Sequence, residues 1–286
     1  MTSQAVPEIG PDAALIEALR RRTSANQPLC AQTWSTAPPQ GFEGLACTRF
    51  EISSRGDRVP GHLIEPDRDE HVKRPLLLLQ HGAGGDRHSP YLQVARRWVE
   101  AGAAVATIDF PLHGERRSPK LTQLLIESIG RGLEPVADGA EGAHGLWRGF
   151  AQQSVADLRA TLDHLLSSPR IDGERCAYAS FSLGSIVGSL FLAVDARPRA
   201  AALALGGGGF GPADLDPVRF IGALSPRPLL MLNARHDVVV PASAAQALFD
   251  AAREPREIEW SDTGHDHLPG AALKRMWTHL RQALEL

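Results

Sequence analysis

The 286-residue sequence has few cysteines and almost no excess charge, and each shortage excludes a class of protein. Its three cysteines are an odd number without CxxC spacing, so the sequence predicts neither a disulfide framework nor a thiolate metal site. Thirty Lys and Arg against 33 Asp and Glu give a net charge of −3, and no basic run exceeds three residues. We therefore expect no nucleic-acid partner and no anionic-membrane footprint.

Long apolar runs are also missing. No stretch approaches the roughly 18 residues that a membrane helix needs. Residues 1–25 carry three acidic side chains and three consecutive arginines instead of the apolar block of a secretory signal. We expect no membrane association and a cytoplasmic location.

What is present is enough apolar sequence for a sizeable core, since 43% of the residues are hydrophobic. Residues 1–44 are Pro-rich and mixed, and we interpret them as a peripheral N-terminal arm with a helix over residues 11–22. Residues 45–286 are interpreted as one domain, although the full length of 286 residues also suits two small domains.

Strand-like and helix-like segments alternate through residues 45–286. Two β-like runs flank residues 53–57 and predict a hairpin. Apolar strands and amphipathic helices then follow one another, with strands predicted at 75–80, 103–110, 176–180, 200–205, 228–233 and 256–260. This alternation predicts an α/β fold with a mostly parallel, doubly wound sheet and helices on both faces.

Two connections are longer than an ordinary loop. Residues 111–149 contain a helical pattern over Leu121–Ile129, and we expect a small lid there. Residues 206–227 form a second, shorter insertion.

The segment Ser180-Phe181-Ser182-Leu183-Gly184 joins a predicted strand directly to a helix. This is the setting of a nucleophile elbow, a sharp turn that exposes one hydroxyl between small residues two positions away on either side. Ser182 is the candidate nucleophile. Ser180 stands where glycine is usual, and an ordinary β–α junction is the alternative.

After an earlier strand comes His81-Gly82-Ala83-Gly84-Gly85, whose backbone N–H groups are unencumbered by bulky side chains. An oxyanion hole needs such groups, and we predict the N–H groups of Ala83 and Leu183 as its donors. A phosphate-binding loop is the weaker alternative, because no Gly-Lys-Ser/Thr follows and GxGxxG spacing is missing.

Two further strands end in loops that carry Asp237 and His265. Ligands of an open parallel sheet bind at the carboxyl ends of its strands, so Ser182, Asp237 and His265 are predicted to meet there as nucleophile, orienting acid and base. His267 is a second candidate base. A metal held by His265, Asp266, His267 and Asp262 is disfavoured, because no metal-ligand spacing accompanies them.

These motifs, with Asp109-Phe110-Pro111-Leu112-His113-Gly114-Glu115-Arg116, resemble the α/β-hydrolases over residues 45–285. The similarity is to small serine esterases related to dienelactone hydrolases and to prolyl-oligopeptidase catalytic domains. The resemblance implies the α/β-hydrolase fold, a Ser182, Asp237 and His265 triad, oxyanion donors at Ala83 and Leu183, and no cofactor. The cysteine nucleophile of dienelactone hydrolases proper is absent from the elbow.

The predicted activity is hydrolysis of small to medium carboxylic esters, with a small-molecule ester as the partner. A serine peptidase or thioesterase could use the same residues, and an inactive hydrolase-like binding protein is a non-enzymatic alternative. Asp109 and His113 are interpreted as loop-shaping residues. Trp147 and Phe150 either pack a helix or line the acyl pocket from the lid.

Overall fold

A computed structural model describes residues 10–25, 29–66, 72–130 and 141–286 of the chain. Its centre is a nine-stranded sheet in the order β1-β2-β3-β5-β4-β6-β7-β8-β9. The strands are β1 (Ala31–Thr36), β2 (Ala46–Ser54), β3 (Asp57–Glu65), β4 (Arg74–Gln80), β5 (Ala104–Ile108), β6 (Ile171–Phe181), β7 (Ala201–Ala204), β8 (Leu229–Ala234) and β9 (Arg256–Ser261).

The first three strands and β5 pair in antiparallel fashion. Strands β2 and β3 form the predicted hairpin through Arg55 and Gly56, which both have positive φ values, of 53° and 81°. A two-residue turn of this kind matches the twist of the flanking strands. Strand β1 was not expected, because residues 1–44 were interpreted as a peripheral arm. It is an exposed edge strand, and the proposed boundary at residue 44 remains a prediction.

From β5 to β9 the sheet is parallel. Helices cover both of its faces, which is why β4 is buried along its whole length and has four consecutive leucines, Leu76–Leu79. Leu77 and Leu79 face one core with α2 (Arg96–Glu100) and α7 (Gly270–Leu284). The alternate residues face a second core on the opposite side of the sheet.

That second core is larger, and five helices of the described chain contribute to it: α1 (Ala13–Arg22), α3 (Pro119–Gly130), α4 (Glu141–Leu166), α5 (Leu183–Val194) and α6 (Ala242–Ala251). The doubly wound arrangement expected from the alternating pattern is therefore confirmed. None of the helices within the described residues is long and apolar enough to span a bilayer.

The predicted lid contains α3 (Pro119–Gly130), which overlaps the helical pattern found in the sequence. Residues 131–140 lie outside the described residues. The last part of the expected lid, residues 141–149, is instead the beginning of α4. The second insertion, residues 206–227, contains three short 3₁₀ helices.

Candidate active site

Ser182 occupies a sharp turn between the end of β6 and the start of α5. Its φ and ψ angles are 52° and −115°, a conformation that a residue with a side chain rarely adopts. The Ser182 N–H donates to the carbonyl oxygen of Ala204 at 2.8 Å, which fixes the turn to the neighbouring strand. Strained backbone of this kind clusters at functional sites, where the surrounding structure holds it in place.

Two glycines make room for this turn. A Cβ atom on Gly184 would lie 2.7 Å from the carbonyl oxygen of His81, and one on Gly82 would lie 3.1 Å from the Ser182 Cβ. Both positions therefore favour residues without a side chain. The loop after β4 thus lies directly against the nucleophile candidate.

Ser180 fits where the elbow pattern usually has glycine. Its Oγ lies 3.1 Å from the Oγ of Ser185, which also donates to the carbonyl oxygen of Ala204 at 2.8 Å. The extra hydroxyl is buried and hydrogen-bonded, so the departure from glycine leaves no unsatisfied group.

The structure brings Ser182, His265 and Asp237 into one chain of hydrogen bonds. The Ser182 Oγ lies 2.8 Å from the His265 Nε2, and the His265 Nδ1 lies 2.7 Å from the Asp237 Oδ2. An ionised carboxylate can only accept, so the Nδ1 carries the hydrogen and the Nε2 of the neutral ring accepts from the hydroxyl. The imidazole is thereby oriented to take the proton of Ser182.

Asp237 is buried at the carboxyl end of β8. Its second oxygen, Oδ1, accepts hydrogen bonds from the backbone N–H groups of Val239 and Val240, both at 2.8 Å. Burial opposes ionisation, but the bonds from His265 and from these N–H groups lower the pKa of Asp237. The carboxylate is therefore negative at neutral pH and accepts the Nδ1 hydrogen of His265.

The two predicted oxyanion donors come from different segments: Leu183 directly follows Ser182, and Ala83 lies in the loop after β4. Leu183 is the first residue of α5, where a backbone N–H has no partner within the helix. Ala83 follows Gly82, where an added Cβ atom would lie 3.1 Å from the Ser182 Cβ. Both N–H groups thus belong to segments that flank the Ser182 hydroxyl, and their role as oxyanion donors remains a proposal.

No protein-family model and no curated protein sequence matches the chain. Solved structures do. An acetyl xylan esterase from Paenibacillus sp. R4 matches with a TM-score of 0.76 at 18% identity, over 96% of this chain and 96% of that one. The chain has the α/β-hydrolase fold.

Two further structures share the α/β-hydrolase fold with this chain. A cold-adapted esterase from an Arctic intertidal metagenomic library has a TM-score of 0.68 at 22% identity, over 85% of this chain and 95% of that one. An acylaminoacyl peptidase from Pyrococcus horikoshii has a TM-score of 0.62 at 15% identity, over 85% of this chain but 41% of that one. The fold implied by the sequence resemblance is thus confirmed.

Other polar residues near Asp237 and His265 take no part in the hydrogen-bond chain of the α/β-hydrolase fold. His267 is exposed, and His236 pairs with Asp262 at the surface, with 2.9 Å between the His236 Nε2 and the Asp262 Oδ1. No group of three His, Cys, Asp or Glu side chains in the described parts of the chain is arranged to hold a metal ion.

The sequence did not reveal how the loop after β4 is held. The His81 Nδ1 donates to the carbonyl oxygen of Gly82 at 2.8 Å, while the Nε2 accepts from the backbone N–H of Phe110 at 3.3 Å. Burial lowers the pKa of His81 to about 4, so the ring is neutral and makes both bonds. Arg87 and Asp109 form a second link between the same two loops. An arginine after one strand and an aspartate after the next was the only sequence signal for it.

The lid aromatics are packed inside the α/β-hydrolase fold. Trp147 and Phe150 are buried, with ring centroids 5.5 Å apart, and Phe150 also lies 6.0 Å from the His113 ring. A Cβ atom on Gly211 would lie 1.8 Å from the Trp147 Nε1, so the start of α4 packs tightly against the second insertion. The interpretation of these aromatics as helix-packing residues is favoured over an acyl-pocket role.

Proposed function

We propose that the protein is a carboxylic ester hydrolase that acts through an acyl-enzyme on small to medium acyl esters. The observation that carries this proposal is the continuous hydrogen-bond chain from Asp237 through His265 to Ser182, with Ser182 on a strained elbow. Three side chains from three separate loops meet in the order that nucleophilic catalysis needs.

In the proposed reaction, the Ser182 Oγ attacks the ester carbonyl carbon while its proton passes to the His265 Nε2. The carbonyl oxygen becomes an oxyanion that accepts hydrogen bonds from the backbone N–H groups of Ala83 and Leu183. His265 then gives its proton to the leaving alcohol, and the carbon–oxygen bond to that alcohol breaks. Asp237 holds the imidazole in the required tautomer and stabilises its positive charge.

Water completes the cycle. It attacks the acyl-enzyme carbonyl, loses a proton to His265 and forms a second oxyanion at the same two donors. The intermediate collapses to the carboxylic acid and returns the proton to the Ser182 Oγ. These steps need only protein side chains, backbone N–H groups and water, so the proposal includes no cofactor.

The extent of the match to each solved structure favours ester hydrolysis over peptide hydrolysis. It spans nearly all of two proteins described as esterases but less than half of an acylaminoacyl peptidase. The proposed partner is therefore a small-molecule ester, and a cytoplasmic location is retained as a proposal from the sequence.

The deciding experiment replaces Ser182 by alanine. We expect Ser182→Ala to lower the turnover of p-nitrophenyl acetate by about 10⁴-fold or more, because the nucleophile is removed. The variant should remain folded, as judged by circular dichroism, and should no longer react with an organophosphonate serine probe.

Ser189→Ala provides the matched control. Ser189 lies in α5, where its hydroxyl bonds the carbonyl oxygen of Ser185, so this variant should keep both turnover and probe labelling. A folded Ser182→Ala variant with parental activity would remove Ser182 from the mechanism. A parent that neither turns over esters nor binds the probe would favour the inactive binding protein.

A substrate panel separates the related hydrolase activities. We would compare p-nitrophenyl esters of increasing acyl length with an aminoacyl anilide and an acyl thioester at equal concentrations. The proposal expects the highest kcat/KM for an oxygen ester of short or medium acyl length. A preference for the anilide or the thioester would replace it by the peptidase or thioesterase assignment.

A further inference from the structure

Two loops leave the same edge of the sheet side by side, because β4 and β5 are paired neighbours. We call residues 81–89, after β4, the oxyanion loop, and residues 109–116, after β5, the β5 loop. Two links join them: the bond from the Phe110 N–H to His81, and the contacts between Arg87 and Asp109. Both links involve the oxyanion loop, one on each side of Ala83.

Asp109 binds donors from both loops while being fully buried. Its Oδ1 accepts from the backbone N–H of Arg87 at 2.9 Å, and its Oδ2 accepts from the Arg87 guanidinium and from the backbone N–H of Glu115, the latter at 2.9 Å. A Cβ atom on Gly114 would lie 2.2 Å from the Asp109 Oδ2, so the carboxylate fills its site completely. The position of this side chain is therefore closely defined.

Between its two anchors, the oxyanion loop is closed by one bond of its own, from the Gly85 N–H to the carbonyl oxygen of Gly82 at 3.2 Å. Ala83 and Gly84 are exposed, and a Cβ atom on Gly84 would meet nothing within 4 Å. The position of the Ala83 N–H thus depends on this short turn and on the two anchors that hold it, His81 on one side and Arg87 on the other. Arg87 is itself buried, and its guanidinium also binds Glu115.

An oxyanion donor is useful only at the correct place, and a misplacement of about 1 Å can cost about 100-fold in rate. We propose that Asp109 is a positioning residue for ester hydrolysis. By holding Arg87, it keeps the Ala83 N–H directed at the oxygen that becomes negative. The inference rests on the proposed function, since it assigns Asp109 to that same site.

Asp109→Asn is the informative substitution because it preserves the shape of the side chain. The asparagine oxygen can still accept one bond, but its NH₂ group is placed where the wild-type carboxylate receives donors. The buried guanidinium of Arg87 also loses one of its two carboxylate partners and keeps only Glu115. The oxyanion loop is therefore released at one anchor, while Ser182, His265 and Asp237 are unchanged.

We expect Asp109→Asn to lower kcat for p-nitrophenyl acetate by about 10- to 100-fold and to leave KM within about threefold. Both acylation and deacylation pass through an oxyanion, so kcat falls whichever step limits the rate. A trifluoromethyl ketone that forms a tetrahedral anion on Ser182 should bind more weakly by the same factor as kcat/KM. A loss of stability alone would not produce this parallel change.

Asp195→Asn is the matched control. Asp195 is also a buried aspartate that accepts from the backbone N–H and the guanidinium of one arginine, Arg197, but it lies at the opposite end of α5 from Ser182. This variant loses the same kind of ion pair, so its stability should fall while its kcat and its inhibitor affinity stay within about threefold of the parent.

The inference is overturned if folded Asp109→Asn keeps its kcat within threefold, if its inhibitor affinity is unchanged, or if Asp195→Asn loses equal activity. If Asp109→Asn does not fold, Arg87→Lys is tested by the same criteria. This variant keeps the backbone bond to Asp109 and the positive charge but changes the guanidinium contacts. The inference then requires its kcat to fall at least fivefold. An active parent with unaffected variants overturns this inference alone, whereas a parent without esterase activity overturns the proposed function as well.

Discussion

At the scale of single residues, the elbow is governed by how little space surrounds Ser182. A Cβ atom added to Gly184 would collide with the carbonyl oxygen of His81, and one added to Gly82 would lie tightly against the Ser182 Cβ. Ser180 is accommodated because its side chain is small and its hydroxyl has a partner in Ser185. The elbow therefore accommodates a serine at this position, where glycine is usual.

Restoring glycine at position 180 tests this view. We expect Ser180→Gly to keep kcat within about threefold and to lower the free energy of unfolding by about 1–2 kcal/mol, through the lost hydrogen bond and the greater freedom of glycine in the unfolded chain. Ester turnover and urea unfolding measure the two effects. Ser180→Val should lower both activity and stability, because it adds a methyl group to a fully buried side chain and removes the hydrogen bond to Ser185. An inactive but folded Ser180→Gly variant would contradict the prediction.

The meeting of Ser182, Asp237 and His265 could be predicted because each follows its own strand in a parallel sheet, and such strands end at one edge. The link between Arg87 and Asp109 could not be predicted in the same way. It depends on which strands are neighbours, and the order β5-β4-β6 differs from the order along the chain. Hydrogen-bond partners on neighbouring strands therefore cannot be predicted from the spacing of residues along the sequence.

At the scale of elements, buried strands and helices with a clear apolar face were predictable. An exposed strand, and a helix with apolar spacing in only one half, were not. Strand β1 carries mostly polar, exposed residues, so it has no alternating pattern and is stabilised by its pairing with β2. Helix α4 begins at Glu141, well before the apolar spacing that revealed its second half. Its first turns pack against the second insertion, a contact without periodicity in the sequence.

The packing of α4 can be tested at Trp147. We expect Trp147→Ala to lower the free energy of unfolding by about 3–5 kcal/mol, because a large buried ring leaves a cavity beside Phe150 and Gly211. Urea unfolding with an unchanged m-value would measure this loss. Trp34→Ala serves as the control, since Trp34 is 41% exposed and should cost about 1 kcal/mol or less. Equal losses in the two variants would contradict the packing interpretation.

At the scale of the whole molecule, buried histidines make stability depend on pH. Burial lowers the pKa of His81 to about 4 and, together with nearby positive charges, the pKa of His62 to about 3. In the unfolded chain, the pKa of a histidine is about 6.5. Between these values the unfolded state binds protons that the folded state does not, so stability is complete above pH 6.5 and is lost as the pH falls.

We expect the free energy of unfolding to decrease by about 1.4 kcal/mol per pH unit for each of these histidines below pH 6.5. Urea midpoints measured between pH 7 and pH 5 isolate the histidines, because most carboxyl groups titrate at lower pH. His62→Gln should reduce the slope, whereas His267→Gln, at an exposed position, should leave it unchanged. A flat profile in the parent would contradict the prediction.

The base of the proposed reaction comes from the rim of the molecule. Among the described strands, β9 ends the sheet and is paired on one side only, with β8, and His265 follows it by four residues. Peripheral segments open locally at lower cost than central ones. The proposed triad therefore depends on the pairing of an edge strand, because the loop that carries His265 is held in place by β9 and its one neighbour, β8.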